Sequence, residues 1–238
     1  MIKIRELSKS FTSGGCNVRI FENFDLEIAA GELVVIFGPS GCGKSTLVNI
    51  IGGTEQYDGG AIEGLSGNKR IGYISQRNSL LPWLNVIDNI AFGLKLQGTD
   101  KISRYREARE LLTEMGLASY ANFYPHQLSG GLAQLISFAR SVAYKAEFML
   151  MDEPFSSLDF LVRNRLQDII LKIHRKRHLS TIFITHHADE AIYLGDRIIA
   201  LSATKPTAIL KEFATAAITD KETDNFYKVR RELLACYL

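Results

Sequence analysis

Two hydrophobic periods recur along this chain of 238 residues. Short continuous apolar runs are typical of buried strands, whereas apolar positions three and four residues apart indicate helices. The runs predict strands at Leu33–Phe37, Ile71–Ser75, Phe148–Met151 and Thr181–Thr185. The helical spacing predicts helices at Val86–Leu94, at Lys101–Met115 and after Asp159, where an apolar stripe comprises Val162, Leu166, Ile169, Ile170 and Ile173. Two more helices are predicted from their ends: Thr46–Ile51 stops at Gly52 and Gly53, and the segment Leu128–Gly131 opens a helix that runs to about Ala143. Strands that alternate with helices in this way favour an α/β fold.

The two ends of the chain have patterns of their own. Alternating residues at Ile2–Leu7 and Phe24–Ile28, with a Gly14–Gly15 turn, predict a strand-rich N-terminal layer that leaves Phe11 between two strands. Arg197–Phe213 is typical of a strand pair. A closing amphipathic helix carries four residues on one face, namely Phe226, Val229, Leu233 and Tyr237.

The middle of the chain is helical where a simple βαβ unit would return to a strand. We therefore predict one domain over residues 1–238. Its core comprises residues 1–77 and 146–238, and residues 78–145 form an inserted helical subdomain.

The composition narrows the class of protein. Hydrophobic residues make up 46% and charged residues 23% of the chain, as in soluble globular proteins. A net charge of +2 gives no strong indication of a nucleic-acid or membrane-surface partner. No apolar run approaches the ~18 residues of a membrane span, and the N-terminal residues lack the apolar region of a signal peptide. Three scattered cysteines fit a reducing cytosol.

One glycine-rich segment carries the strongest chemical indication. It satisfies the pattern G-x-x-x-x-G-K-[ST] and comprises Gly38, Pro39, Ser40, Gly41, Cys42, Gly43, Lys44, Ser45 and Thr46. Its glycines let backbone N–H groups converge at the positive end of the following helix, which suits a phosphate. Lys44 would reach the β- and γ-phosphates, and the Ser45 hydroxyl would bind Mg²⁺. The alternative is an ordinary glycine-rich turn, which the order of strand, loop and helix disfavours.

Polar residues stand at the ends of the three other predicted buried strands. They are Gln76, Asp152 with Glu153, and His186. Ligands bind at the carboxyl ends of strands in open α/β sheets. We expect Asp152 to hold Mg²⁺ and Glu153 to act as the general base for a water that attacks the γ-phosphate. The alternatives are an exposed acidic strand end and a structural histidine.

Three weaker indications accompany these strand ends. Ser129, Gly130 and Gly131 open a predicted helix and so form a second candidate anion site, although Ser-Gly-Gly is also a common helix entry. Phe11 is either an aromatic that stacks on a base or a core residue. Cys42 is either a reactive thiol whose pKa a helix N-terminus lowers, or an ordinary loop residue.

Six features stand in one order along the chain: Phe11, the Gly38–Thr46 loop, Gln76, the Leu128–Gly131 segment, Asp152 and Glu153 followed by Asp159, and His186. This series resembles the nucleotide-binding subunits of ABC transporters over essentially the whole chain. The resemblance implies an ABC ATPase of the P-loop NTPase class, with a RecA-like core, an N-terminal antiparallel β layer and an inserted helical subdomain. Leu81-Pro82-Trp83 with Asp88-Asn89 further resembles the ATPases of nitrate, sulfonate and taurine importers.

The resemblance also implies roles for individual residues. Phe11 stacks on adenine, and the Gly38–Thr46 loop with its catalytic Lys44 is the Walker A motif. Asp152 and Glu153 are the Walker B aspartate and the catalytic glutamate.

Three further roles follow from the same resemblance. Gln76 contacts Mg²⁺ and the attacking water, and His186 contacts the γ-phosphate. The segment Ser129–Gly131 is the signature motif, which closes on ATP held by a second copy of the chain, and Asp159 belongs to the nucleotide-binding set.

The function implied is the ATP-binding and ATP-hydrolysing subunit of an importer for a small, nitrate-, sulfonate- or taurine-like solute. Its cofactors are ATP and Mg²⁺. Its partners are a second copy, a separate membrane permease that docks near Gln76–Trp83, and indirectly a solute-binding protein, with no nucleic acid. The implied location is the cytoplasmic face of the inner membrane, as a peripheral subunit. The alternatives are an ABC-type ATPase that acts on nucleic acid or ribosomes, and a P-loop kinase.

Two features stand apart from the family pattern or remain open. The family usually has a polar residue, Gln or Arg, soon after the signature glycines and an Arg two positions further, whereas here Leu132–Leu135 supply only Gln134 before Arg140. Trp83, the single tryptophan, is either buried in the core or exposed at an interface.

Overall fold

The chain forms two compact units in a computed structural model that describes residues 1–13, 15–65, 70–76, 79–156, 158–216, 218 and 220–237. Met1–Asn68 and His178–Leu238 form the first unit, and Lys69–Arg177 forms the second. The helices predicted within residues 78–145 belong to the second unit, and the predicted domain boundaries stay a prediction. Gly14 of the predicted turn and Ser157, which precedes Asp159, lie outside the described residues.

The first unit begins with an antiparallel sheet of β1 (Ile2–Ser13), β2 (Cys16–Ile28) and β4 (Gly59–Glu63), in the order β2-β1-β4. This confirms the predicted antiparallel layer. Phe11 was expected between two strands, and that expectation is wrong, because Phe11 lies inside β1 and pairs with Val18 of β2. Register shifts between Ile4 and Ser10 interrupt the alternation of side chains. The far half of β1 therefore does not have the regular period of a strand.

The second sheet region of the first unit holds the buried core. Its strands are β7 (Ser180–Thr185), β3 (Leu33–Phe37), β8 (Arg197–Leu201) and β9 (Ile209–Ala214), in that order. β3 pairs in parallel with β7 and β8, and every residue of β3 and β7 is buried. The predicted strand pair after Arg197 is confirmed as the antiparallel β8 and β9. The helices are α1 (Lys44–Ile51), α6 (Ala188–Leu194) and α7 (Asp224–Ala235).

The second unit combines a parallel strand pair with four helices. β5 (Ile71–Ile74) pairs with β6 (Phe148–Asp152). The helices are α2 (Val86–Leu96), α3 (Lys101–Glu114), α4 (Gly130–Ala143) and α5 (Phe160–Arg177). Side chains of Asn85 and Asp100 cap α2 and α3, as their residue types favour. All four helices were predicted: α2, α3 and α5 from their apolar spacing, and α4 from the Ser-Gly-Gly segment at its start.

The apolar stripe of α5 is only partly buried. Leu166, Ile170 and Ile173 are buried as predicted, but Val162 is 37% exposed. Periodicity identifies which face of a helix is apolar, and it does not identify where the packing partners end. At the other end of α5, Lys176 and Arg177 both bind Glu114 and hold the pKa of its carboxyl below the usual range.

The described helices were also compared with the requirements of a membrane span. Within the part of the chain that the structure describes, none is both long and apolar enough to cross a bilayer.

Candidate functional site

The segment Gly38–Thr46 forms the turn between buried strand β3 and helix α1. Gly41 and Gly43 have φ values of +80° and +107°, which residues with a Cβ rarely adopt. A Cβ built at Gly43 would also lie 2.7 Å from Cγ2 of Ile20. Gly43 caps α1 without a side-chain hydrogen bond. The cap position therefore places no side-chain oxygen at the start of α1, where an anion could bind.

Lys44 lies against the backbone of this loop. Its Nζ donates hydrogen bonds to the carbonyl oxygens of Gly38 at 2.8 Å and Pro39 at 2.9 Å, and its side chain is nearly buried. An ammonium held by neutral carbonyls can exchange them for phosphate oxygens, which are stronger acceptors. The structure therefore places Lys44 against the loop backbone, and its contact with phosphate stays a prediction.

Cys42 is packed into the back of the loop. The residue is 1% exposed, and a Cβ built at Gly38 would lie 2.9 Å from its Sγ. Burial raises the pKa of the Cys42 thiol, although the charge of Lys44 acts in the opposite direction. Of the two alternatives for Cys42, the reactive thiol with a lowered pKa is therefore wrong, because loss of hydration outweighs the nearby positive charge.

His186 follows the strand adjacent to the phosphate loop. Phe37 at the end of β3 pairs with Thr185 at the end of β7, so the loop and His186 leave the sheet at the same edge. The His186 ring lies 4.2 Å from that of His187, and His187 N donates to the Thr185 hydroxyl at 3.0 Å. The first unit thus brings together His186 and the Gly38–Thr46 loop, as the sequence predicts for strands of one sheet.

Phe11 presents a partly exposed ring. It is 39% exposed, and Lys9 Nζ lies 4.4 Å from the ring centroid. Lys9 also binds Glu55 Oε1 at 2.5 Å. One face of the ring is thus covered by a cation that a carboxylate holds in place. Stacking of an adenine on Phe11 stays a prediction.

The second unit brings Gln76, Asp152 and Glu153 to one strand edge. Ile74 of β5 pairs with Met151 of β6, so the residues that follow both strands lie at the same edge. Gln76 Nε2 donates to the Ser156 hydroxyl at 3.0 Å, and that hydroxyl donates to the Glu153 carbonyl at 3.1 Å.

The acidic pair at this edge has two distinctive properties. Glu153 has φ of +45°, a conformation that is uncommon outside glycine and frequent at functional sites. Burial, together with the negative charge of Asp152, raises the pKa of the nearby Tyr73.

The Ser129–Gly131 segment begins helix α4. The Ser129 hydroxyl accepts a hydrogen bond from Leu132 N at 3.4 Å, which makes Ser129 the helix cap. A Cβ at Gly131 would lie 2.9 Å from Cγ1 of Val162 in α5, whereas one at Gly130 would meet nothing closer than 3.9 Å. Gly131 is therefore required for helix packing, and Gly130 leaves the start of the helix open.

Gln134 and Arg140 supply the polar contacts of α4. The buried Gln134 Nε2 donates to the carbonyl oxygens of Ser75 at 3.0 Å and Gln76 at 2.9 Å. Arg140 donates to the carbonyl and hydroxyl oxygens of Ser79, and burial lowers its pKa. Despite the apolar Leu132 and Ala133, the signature helix is thus hydrogen-bonded to the backbone around Gln76. Sequence reasoning missed this contact, since it pairs residues 58 and 59 positions apart.

Asp159 caps the next helix. Its carboxylate accepts a hydrogen bond from Val162 N at 2.9 Å in the first turn of α5. This contact accounts for an acidic residue at this position. Its predicted part in nucleotide binding stays a prediction.

The predicted metal ligands are oxygen donors, namely the Ser45 hydroxyl, the Gln76 amide and the Asp152 carboxylate. Among the residues that the structure describes, no group of three or more His, Cys, Asp and Glu side chains is arranged to hold a metal. Mg²⁺ needs no such cage, because it binds one or two carboxylates together with phosphate oxygens and water. By donor type these residues suit Mg²⁺ bound with a nucleotide, and their joint role as its ligands stays a prediction.

The second unit also has an open groove, which is lined by none of the predicted nucleotide-site residues. It has a volume of about 1260 Å³ and is lined by α2, α3 and α5. Its cationic side chains are Lys101, Arg106, Arg109, Lys172 and Lys176. Ile102 on this surface is 81% exposed. Trp83, which precedes α2, is 70% exposed, so the core alternative for the tryptophan is wrong.

Comparison with known proteins identifies the family. The family described as ABC transporter matches residues 21–156. An uncharacterised ABC transporter ATP-binding protein of Methanocaldococcus jannaschii is 37% identical over 98% of this chain and 90% of that protein. The taurine import ATP-binding protein of Pseudomonas aeruginosa is 39% identical over 86% of this chain and 80% of its own length. The nitrate import ATP-binding protein of Synechocystis is 35% identical over 97% and 89%, respectively.

Solved structures agree with the sequence relatives. A dimeric structure of a bacterial ABC transporter cassette matches with a TM-score of 0.76 and 28% identity, covering 90% of this chain and 99% of that one. The post-hydrolysis state of that cassette, bound to ADP and phosphate, matches with a TM-score of 0.75. The predicted fold class is thereby confirmed. The chain belongs to the ABC transporter family and is an ATP-binding ABC-type ATPase.

Proposed function

We propose that this chain energises the import of a small anionic solute of the nitrate, sulfonate and taurine type. Named relatives import taurine, aliphatic sulfonates and nitrate, at 35–40% identity. The observation that carries the nucleotide part of the proposal is the phosphate loop, with left-handed Gly41 and Gly43 before a helix start that has no side-chain cap. The solute itself contacts the permease and not this subunit, so the relatives alone support its class.

The proposed chemistry is hydrolysis of ATP by an in-line water. Lys44 and the loop N–H groups bind the phosphates, and His186 contacts the γ-phosphate. Ser45, Gln76 and Asp152, which the family resemblance assigns as ligands, would hold Mg²⁺, and the bound ion would neutralise phosphate charge. Glu153 takes the proton of the attacking water, as a general base. Phe11 provides the stacking surface for adenine.

The proposed working state is a dimer that encloses ATP. The start of α4 at Ser129–Gly131 offers a second helix N-terminus, which complements phosphate charge. We propose that it acts on ATP held by a second copy, as the dimeric cassette of similar fold supports. Asp159, at the start of α5, belongs to the same proposed interface.

The proposed partner in the membrane is a separate permease, which the subunit binds as a peripheral protein at the cytoplasmic face. Through the permease the subunit would also work with a solute-binding protein. Trp83 is the exposed aromatic of the segment that follows Gln76, and exposed aromatics are enriched in protein interfaces. Trp83→Ala should reduce co-purification of the permease. Tyr57→Ala, which also removes an exposed aromatic but from the first unit, should leave it unchanged.

Glu153→Gln provides the test of the proposed chemistry and of the dimer. The amide cannot accept the proton, so hydrolysis should fall by about 100-fold or more while ATP binding persists. Size-exclusion chromatography with ATP and Mg²⁺ should show a dimer that the parent forms only transiently. Glu63→Gln makes the same chemical change on exposed strand β4 and should leave both measurements unchanged. Hydrolysis by Glu153→Gln at the parental rate would refute the assignment of the base.

A further inference from the structure

The phosphate loop is held from behind by two residues that lie far along the chain. Thr207 lies in the connection from β8 to β9, and Tyr237 follows α7. The Thr207 hydroxyl donates to the carbonyl of Cys42 at 2.5 Å, across 165 positions of sequence. The Tyr237 hydroxyl donates to the Leu201 carbonyl at 2.9 Å, with the Phe37 carbonyl 3.3 Å away. Both contacts lie within the first unit.

Thr207 controls the orientation of one peptide unit in the loop. In a planar trans peptide the C=O and the N–H point in opposite directions. Because Thr207 binds the Cys42 carbonyl, the N–H of Gly43 is fixed towards the opposite side of the loop. Thr207 is itself fixed, since it is 3% exposed and its N–H donates to the Ile20 carbonyl at 2.7 Å. Gly43 at φ of +107° has no side chain to restrict it, so an external contact must do so.

Tyr237 fixes the strand from which the loop departs. Its ring packs edge-to-face on Phe37, with centroids 5.6 Å apart. Burial raises the pKa of Tyr237, so the hydroxyl remains a hydrogen-bond donor throughout the working pH range. The residue therefore joins the C-terminal segment to the last position of β3, directly before Gly38.

We propose that Thr207 and Tyr237 are positioning residues of the nucleotide site, which keep the Gly38–Gly43 backbone in the shape that binds phosphate. The inference rests on the proposed role of this loop and adds residues from the β8–β9 connection and the C-terminal segment. Neither residue needs to touch ATP. Their effect is on affinity, because a loop ordered in advance loses less entropy when the ligand binds.

A matched pair of valine variants distinguishes positioning from general stability. Thr215 is also a buried threonine of the first unit, whose hydroxyl donates to the Gly195 carbonyl at 2.7 Å and whose N–H donates to the Asp196 carbonyl at 2.8 Å. Thr207→Val and Thr215→Val thus remove the same kind of hydrogen bond. The dissociation constant for ATP with Mg²⁺ and the urea unfolding midpoint are measured for each full-length variant.

Thr207→Val should raise the ATP dissociation constant about three- to tenfold, the range that one hydrogen bond accounts for. Thr207→Ser keeps the hydroxyl, so its ATP dissociation constant should lie within about twofold of the parental value. Thr215→Val should also bind ATP within about twofold of the parental value, although both valine variants should lower the unfolding midpoint. An unchanged constant in Thr207→Val, or an equal rise in Thr215→Val, would overturn the proposal. If Thr207→Val does not fold, Tyr237→Phe decides: a rise of about twofold or more supports the proposal and no rise overturns it.

Lys44→Ala separates this inference from the nucleotide site on which it rests. Loss of ATP binding in Lys44→Ala with normal binding in Thr207→Val would reject only the positioning role. Normal binding in Lys44→Ala would reject the assignment of the phosphate loop itself.

Discussion

The phosphate loop and the signature segment both place small residues before a helix. Their glycines, however, have different structural roles. Gly41 and Gly43 adopt left-handed backbone conformations, and α1 begins without a side-chain cap. Ser129, in contrast, is in an extended conformation and caps α4 with its own hydroxyl. The first segment is a preformed turn for an anion, whereas the second is an ordinary capped helix start.

The residues that surround the phosphate loop and the signature segment also differ. Within the phosphate loop Cys42 is buried, and its carbonyl accepts a hydrogen bond from the Thr207 hydroxyl. At the signature segment, Gly131 has no side chain, which leaves room for Val162 and Leu166 of α5 to pack against it. A helix start whose N–H groups are partly used by its own cap binds an anion only weakly alone. The comparison therefore agrees with a first segment that binds ATP by itself and a second that acts only when a second copy presents it.

Gly43→Ala should have the largest effect of the changes that probe this comparison. The new Cβ would combine an unfavourable left-handed conformation with a 2.7 Å contact to Ile20, so the free energy of unfolding should fall by about 2–4 kcal/mol. ATP affinity should fall at least about tenfold, since the loop must change shape. Urea unfolding and equilibrium ATP binding measure the two effects.

Gly15→Ala is the control for backbone strain alone, because Gly15 has φ of +80° with no atom within 4 Å of a Cβ and lies in the hairpin between β1 and β2. It should lower stability by about 1 kcal/mol and leave ATP affinity unchanged. Equal effects of the two variants on ATP binding would contradict a specific shape requirement in the loop.

Gly131→Ala should have the next largest effect, and on stability more than on binding. Its Cβ would overlap Val162 and crowd Leu166, which predicts a loss of about 1–3 kcal/mol in the free energy of unfolding. Gly130→Ala, with its nearest contact at 3.9 Å, should change stability by less than about 0.5 kcal/mol. ATP binding to the monomer should persist in both. A monomer that loses ATP affinity in either variant would show that the signature segment is part of the same-chain site.

The sequence predicted most elements because their signals are local. β3 and β7 are buried along their whole length, α3 has an apolar face with Ala108, Leu111 and Leu112, and the phosphate loop is defined by its own consecutive residues. The strand pairing that places His186 beside the loop edge also follows from the rule for parallel strands.

The parts that the sequence did not predict depend on contacts between distant positions. Thr207 has no motif, and its significance comes from the carbonyl of Cys42 across the chain. Cys42 was an open question because a helix N-terminus and burial shift a thiol pKa in opposite directions, and only packing decides which effect is larger. Phe11 was misplaced because the register shifts of β1 are properties of strand pairing and not of composition.

Ser129→Ala should separate the cap from the proposed function of the signature segment. Loss of the cap should lower the free energy of unfolding by about 0.5–1 kcal/mol, because the hydrogen bond to Leu132 N is long. If the hydroxyl also serves the ATP of a second copy, hydrolysis should fall by about tenfold or more while monomer affinity for ATP is unchanged. Thr223→Ala removes the corresponding cap of α7 and is the control. Equal hydrolysis by the two variants would leave Ser129 with its capping role alone.

The smallest expected effect concerns alkylation of Cys42, which should be slow. Its rate tests whether solvent reaches the back of the phosphate loop. Cys16 is exposed and Cys42 is buried. Burial raises the pKa of the Cys42 thiol, so at pH 8 a smaller fraction of it is thiolate than of an ordinary exposed thiol. Iodoacetamide should modify Cys16 at least about ten times faster at pH 8, and the Cys42 rate should keep rising with pH above 9. Mass spectrometry of peptides from the folded protein measures both rates. Rapid modification of Cys42 at pH 7, suppressed by ATP, would mean that the loop opens towards solvent, and the contrast between a preformed phosphate loop and an ordinary helix start would then fail.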